Sequence, residues 1–189
     1  MSNASNIYEL PEDLPIPVDD GACDHLTGFS LPDVALLSTV GSTVQLARLP
    51  GRTVIYCYPR TGRPDQPLPT GWDLIPSARG CTPQSCAFRD HYQELQGLHT
   101  DVYGLSTQDT AYQQEAARRL RLPFSLLSDA DLIFTQALRL PTFSVDGMTL
   151  IKRVTLIVED GKIIKVFYPV FPPDQNAAHV IDWLSRQQK

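Results

Sequence analysis

The sequence predicts an α/β fold, a three-layer α/β/α sandwich with a mixed β-sheet, and three observations carry that expectation. Short β-branched and aromatic runs alternate with stretches of helical spacing, two such runs late in the chain face each other across Asp160-Gly161, and a helix with one apolar face comes last. Strands separated by helices pair in parallel, while a terminal hairpin adds antiparallel strands, so the sheet is mixed. With 189 residues and 42% hydrophobic content the chain can bury one substantial core, and a single domain is expected.

Taken in order, residues 1–27 are rich in Asp, Pro and Gly and lack sustained periodicity, which reads as an extended arm ahead of a domain spanning 28–189. Thr43 to Leu49 and Thr53 to Tyr58 read as strands parted by Pro50-Gly51, the second apolar enough to be buried on both faces. Residues 59 to 80 hold five prolines and no apolar repeat, longer than most connections inside compact domains, so the segment reads as either functional or mobile. At Thr82-Pro83 a helix is expected to begin, Thr as cap and Pro in the first turn, with Phe88, Tyr92 and Leu95 on one face and Gly97 as its stop. Asp101 to Leu105 reads as a buried strand, and Tyr112, Ala116 and Leu120 mark a second helix ending before Pro123. Phe124 to Leu127 is a short apolar run, Leu132 to Leu138 a short helix, and Val154 to Val158 pairs with Ile163 to Phe167. Ala177, Ile181 and Leu184 share one face of the last helix.

A formal charge of -5 with no basic run offers no footprint for nucleic acid or an anionic membrane surface. No apolar stretch reaches the roughly 20 residues of a membrane helix, and the N-terminal residues lack a basic and apolar signal pattern, so a cytoplasmic setting is expected. In a reducing compartment four cysteines read as working or packed thiols rather than as a disulfide scaffold. Cys57, mid-strand among aromatics, reads as a buried hydrophobe, and Cys23 beside His25 as an arm residue without catalytic work. Cys81 and Cys86 with His91 and His99 make poor tetrahedral spacing, so no metal site is expected. Arg89 reads equally as a second active-site cation or a solvated charge, and Trp72 as an anchor of its long loop, a lid over the pocket or a contact for a reductant.

Cys81 sits at the start of the expected helix, where backbone N–H groups and the positive end of the helix dipole favour the thiolate. A thiolate there can attack a peroxide O–O bond and leave a sulfenic acid for a neighbouring thiol to condense with, and Cys86 is that neighbour. Residues five apart in an intact helix have Cα atoms roughly 8 to 9 Å apart, beyond the roughly 4.4–6.8 Å of a disulfide, so the first turn must unwind before the two sulfurs join.

The run Gly80-Cys81-Thr82-Pro83-Gln84-Ser85-Cys86-Ala87-Phe88-Arg89-Asp90 resembles the active-site helix of Q-type peroxiredoxins, the bacterioferritin-comigratory group. Val54 to Arg60, Leu122 to Asp129, and Arg153 to Val158 before Asp160-Gly161-Lys162-Ile163 resemble further segments of that family, in the family's order, over about residues 28 to 186. The resemblance implies a thioredoxin-like fold and a thiol peroxidase acting on hydrogen peroxide and organic hydroperoxides. It makes Cys81 the peroxidatic cysteine, Cys86 the resolving cysteine closing an internal disulfide, and Arg153 the cation that holds thiolate and peroxide. It further implies thioredoxin or a similar dithiol as reductant, no metal, haem or flavin, and a monomer or homodimer. Pro59, Ser77 and Thr82 are expected at the substrate site. Here the chain departs from the family pattern: the Thr or Ser three residues before the peroxidatic cysteine is Ala78, and an active-site insertion of about residues 61–78 separates it from Pro59. Ser77, one residue earlier, or a backbone N–H is expected to take the place of the missing donor. A thiol–disulfide oxidoreductase on the same fold and a non-catalytic redox sensor are the competing readings; the first normally carries C-x-x-C and a proline ahead of the strand expected from Lys152, and neither is present.

Overall fold

The structure, a computed structural model, describes residues 6–187. Its centre is β3 (Arg52–Cys57), whose residues from Thr53 to Cys57 are all buried, as an unbroken apolar run requires when both faces of a strand are covered. β4 (Thr100–Ser106) pairs in parallel with β3, and β5 (Leu126–Ser128) in parallel with β4. β8 (Val154–Glu159) runs antiparallel to β3 on its other side and turns through Asp160-Gly161 into β9 (Lys162–Phe167). With β1 (Ala35–Ser38) and β2 (Thr43–Gln45) on the far edge, the sheet has seven strands in the order β2-β1-β5-β4-β3-β8-β9 and is mixed, as the sequence predicts.

Alternation along β3 divides the interior in two. Val54, Tyr56 and Tyr58 face a core shared with α1 (Cys81–Asp90), α2 (Tyr92–Gly97), α3 (Thr110–Leu120) and α5 (Asn176–Arg186). Ile55 and Cys57 face the opposite core, closed by α4 (Ile133–Leu138) and by the segment carrying Cys23, Leu26 and Leu31. The expected three layers are present but unequal, with four helices on one face and one helix plus irregular chain on the other. Residues read as an arm therefore supply core: Leu26 is fully buried, and Asp20 accepts from Lys152 Nζ at 3.0 Å and from the Tyr168 hydroxyl at 2.8 Å. Those bonds hold the Asp20 carboxyl down at about 2, and burial beside the neighbouring aspartates pushes the Cys23 thiol up to about 12.

Several local expectations are corrected. The helix begins at Cys81 itself, and its N-cap is Gly80 in a left-handed conformation (φ 102°), so Thr82 lies inside the first turn and does not cap it. It also breaks at His91, with Leu95 buried beyond the break on α2. The strand expected from Thr43 to Leu49 stops at Gln45 and continues as a 3-10 turn. A separate hairpin of β6 (Thr142–Val145) and β7 (Met148–Ile151) turns through Asp146-Gly147, both at positive φ, and the strand read from Lys152 starts at Val154.

Helix α1 is clamped onto the sheet by aromatic packing. The Tyr56 ring stacks on Phe88 at 4.5 Å between centroids, and its hydroxyl donates to Ser85 Oγ at 3.1 Å. Room for that ring comes from β4, where Gly104 presents no side chain: a Cβ there would lie 2.7 Å from the Tyr56 hydroxyl and 2.5 Å from Leu126 Cδ2. Gly104→Ala should therefore overpack this core and lower unfolding free energy by about 1–3 kcal/mol in urea titration, where an unchanged midpoint would contradict the close approach.

Candidate active site

Cys81 occupies the first position of α1, where its own N–H and that of Thr82 have no helical partner and Pro83 has none to offer. The residue is almost wholly buried, at 2% exposure, and packs in the core shared with Tyr56 and Phe88. Arg153, the residue just before β8, reaches its sulfur: Nη2 lies 3.2 Å from Cys81 Sγ.

The guanidinium is held by backbone rather than by countercharge. Nη2 donates to three successive carbonyls, those of Ser77 (3.1 Å), Ala78 (3.3 Å) and Arg79 (3.0 Å), and Nη1 donates to Gln84 Oε1. Gln84 in turn donates to Asn176 Oδ1 at 2.9 Å, which also accepts from the Thr155 hydroxyl at 2.7 Å. This line of buried amides and hydroxyl fixes both ends of the cation, yet contains no acid. Among the described residues no carboxylate pairs with Arg153, which is 1% exposed. A buried guanidinium without an acid is costly, and the one group within reach able to carry negative charge is Cys81 sulfur. Helix N-terminus and guanidinium thus converge on the same atom.

Cys86 lies on the same helix, half-exposed, and all four cysteines are free thiols. Five residues is about 500° of rotation, so the two sulfurs leave α1 on different sides, and Cys86 lies toward Arg89 and Arg119. Burial pushes the Cys86 thiol up, with Asp90 adding to the rise and Arg89 opposing it. Arg89 itself is anchored by the Leu120 carbonyl at 2.9 Å and by Asp90 at 2.8 Å. Cys57 is wholly buried, which raises its thiol far above the ordinary range, and both it and Cys23 pack in the core on the opposite face of the sheet from Cys81. The imidazole of His25 is engaged by the Leu138 carbonyl at 2.9 Å, away from any nucleophilic role with Cys23.

Of the residues expected at the substrate site, Thr82 lines the small cavity at Cys81, whereas Pro59 and Ser77 do not. Pro59 is buried just past the end of β3. Ser77 enters by its carbonyl: its backbone at φ 67° turns the C=O to Arg153 while the residue lines a different crevice with Leu14, Pro15 and Phe171. Ala78, at the position of the missing hydroxyl, is fully buried against Trp72, Val145 and Leu150, and its carbonyl accepts from both Arg153 and Cys81 Sγ (3.6 Å). The insertion has thus exchanged a side-chain hydroxyl for packing. Gln84 went unread in the sequence although its spacing was available, since a residue three after Cys81 shares its helix face. Asn176 had no local signal, because only the fold brings the start of α5 under α1.

The Redoxin family pattern matches residues 26–181. The chain is 30% identical over 152 residues to the chloroplastic peroxiredoxin Q of Triticum aestivum, covering 79% of this chain and 62% of that protein. It is 29% identical over 156 residues to the chloroplastic peroxiredoxin Q of Oryza sativa subsp. japonica, covering 82% and 64%. The chain therefore spans somewhat less than two thirds of these plant relatives. Among solved structures, peroxidoxin BcpB from Mycobacterium tuberculosis superposes with a TM-score of 0.70 at 25% identity, covering 86% of this chain and 98% of that one. A mutant PrxQ from Xylella fastidiosa reaches a TM-score of 0.71 at 18% identity over 87% and 99% of the two chains, a likeness of fold. Sheet order, cysteine spacing, the arginine at the sulfur and a match over most of the sequence agree: this chain belongs to the Redoxin family, and within it to the Q-type peroxiredoxins.

Proposed function

We propose that this chain is a thiol peroxidase that reduces hydrogen peroxide and organic hydroperoxides through Cys81, with Cys86 as resolving thiol and a thioredoxin-like dithiol as reductant. The observation that carries the reading is the 3.2 Å contact between Arg153 Nη2 and Cys81 Sγ within a core that offers the cation no acid. A cationic fork held at the nucleophile steadies charge where it develops during O–O cleavage, on sulfur before attack and on the departing oxygen after it.

The cycle follows from these positions. Cys81 thiolate attacks one peroxide oxygen; an S–O bond forms, the O–O bond breaks, and the departing oxygen leaves as water or alcohol after taking a proton. Cys81 is left as sulfenic acid, oxidised by two electrons. Because an intact α1 keeps the Cα atoms roughly 8 to 9 Å apart, the turn Cys81–Gln84 unwinds, Cys86 thiolate attacks Cys81 sulfur, and water departs as the S–S bond forms. A dithiol then reduces the disulfide by two exchanges, each through a thiolate attacking sulfur. Both thiols, Arg153 and Gln84 come from one chain, so the cycle runs in a monomer and equally in each half of a homodimer. Four unpaired cysteines suit a reducing, cytoplasmic setting. The sensor reading is weaker, because it gives no reason to hold a buried guanidinium on the reacting sulfur.

Stopped-flow oxidation by hydrogen peroxide tests the assignment: Cys81→Ser should abolish the fast phase, Cys86→Ser should keep it but stop at the sulfenic acid, and Arg153→Met should slow it about a hundredfold. Wild-type oxidation at the rate of a free thiol would overturn the proposal. With its thiol raised by burial, Cys86 holds little thiolate near neutral pH, so disulfide closure should accelerate about tenfold per unit between about pH 6 and 8; a flat profile, followed by mass spectrometry of quenched samples, would place the limiting event in helix unwinding. Asn176→Leu leaves Gln84 and Thr155 without their shared acceptor, and should both lower stability by about 1–3 kcal/mol in urea and slow peroxide oxidation.

A further inference from the structure

Two pieces of the chain outside the sheet and its helices meet over Cys81. One is the N-terminal segment around Ile7, upstream of the residues matched by the family pattern; the other is the insertion. The cavity reaching Cys81 has a volume of only about 10 Å³ and is bounded by Ile7, Leu68, Trp72 and Thr82, with Arg60 and Gly62 behind. That is about the space one water needs. On the outer side lies a cleft of about 860 Å³ between the same two pieces of chain, and Ile7, Leu68 and Trp72 line it as well. Three apolar side chains shared by both are therefore the partition between a wide cleft and a pocket no larger than a water.

The partition is fastened from both sides. Arg79, itself beside Cys81, donates to the Asn6 carbonyl at 2.7 Å and to Asp73 of the insertion at 3.0 Å. Arg119 of α3 donates to the Tyr8 hydroxyl at 3.1 Å and to the Gly62 carbonyl at 2.9 Å, and its guanidinium lies 5.7 Å from the Tyr8 ring centroid. Ile7 and Leu68 close against Gly62 so tightly that a Cβ there would come within 3.0 Å and 3.2 Å of them. Trp72 is buried, packs 6.2 Å from Phe143, and the Thr70 N–H is tied to Asp146 in the β6–β7 turn at 2.9 Å.

From this geometry we infer that Ile7, Leu68 and Trp72 set the substrate size limit of Cys81, an inference that rests on the peroxidase reading. Hydrogen peroxide, little larger than water, passes with small side-chain adjustment. A hydroperoxide with a bulky apolar group must part the partition, so it is received in the outer cleft and reacts slowly. Selectivity among peroxides then resides in the N-terminal segment and the insertion rather than in Arg153 or the helix, which act on the O–O bond common to every substrate.

The test is second-order oxidation of the reduced full-length protein by hydrogen peroxide and by cumene hydroperoxide. Wild type should react with cumene hydroperoxide about tenfold or more slowly, and the pair Ile7→Ala with Leu68→Ala should raise the cumene-to-hydrogen-peroxide ratio about tenfold. Tyr8→Ala, which removes an exposed anchor without touching a core, should move the ratio in the same direction. Fast, equal rates with the two peroxides in wild type, or a ratio unmoved by both substitutions, would overturn the gate alone. Hydrogen peroxide reacting no faster than with a free thiol would instead overturn the peroxidase reading, and the gate with it.

Discussion

A guanidinium taken out of water with no acid beside it is the constraint on which the rest of this structure turns. Such an ion costs on the order of several kcal/mol to bury, and the surrounding chain is arranged to offset that cost without neutralising the charge. Three carbonyls from the end of the insertion, the Gln84 amide and the Cys81 sulfur take up its donors. The loop 77–79 must then turn all three carbonyls inward, which is why Ser77 adopts a positive φ and Gly80 follows it in the left-handed region. Helix α1 can begin no later than Cys81 if Gln84 is to reach the cation, and α5 must begin beneath it to supply Asn176. The sheet contributes the fixed point, since Arg153 is carried at the foot of β8, hydrogen-bonded along its length to β3.

Packing transmits this arrangement to the body of the fold. Tyr56 on β3 fixes α1 through Phe88 and Ser85, and Gly104 on β4 clears the space that the ring requires. At the other end of the helix, Arg89 ties the last turn to the carbonyl of Leu120. The turn Cys81–Gln84 is held instead by Arg153 and Asn176, so the unwinding that the proposed disulfide requires would break those bonds while Phe88 and Arg89 stay docked. With Tyr56 and Leu120 fixing its middle and far end, and no side-chain cap at Gly80, any such change is confined to the first turn of the helix.

What was legible in the sequence was what the chain encodes locally. The buried β3, the cysteine pair at a helix start, the Asp160-Gly161 hairpin and the apolar face of α5 all express themselves in adjacent or periodic residues, and the structure has them where the pattern puts them. Arg153 was found through the resemblance of the segment Arg153 to Ile163 to the Q-type peroxiredoxins, not through a local signal of its own. β1 escaped notice because four residues, half of them exposed, carry too little alternation, and the β6–β7 hairpin was overlooked although Asp146-Gly147 is a turn pair of the same kind as Asp160-Gly161. The substitute for the missing hydroxyl was beyond reach for another reason: whether Ser77 offers its side chain or its carbonyl depends on a backbone angle set by the insertion's tertiary packing. Asn176 and Ile7 act across more than ninety and seventy positions of sequence respectively, distances over which composition carries no information.

The acid-free pocket around Arg153 also bears on redox poise. In the dithiol protein the guanidinium has the Cys81 sulfur beside it; on the proposed cycle, a Cys81 drawn away to join Cys86 would leave the cation among neutral carbonyls and an amide. Whatever that contact contributes belongs to the reduced form, and a couple whose reduced form is selectively stabilised has a less negative reduction potential. The proposed Cys81–Cys86 bond would on that account be an oxidising disulfide. Such a bond would accept two electrons readily from a dithiol donor, because the core keeps a place beside Arg153 for the returning Cys81 sulfur.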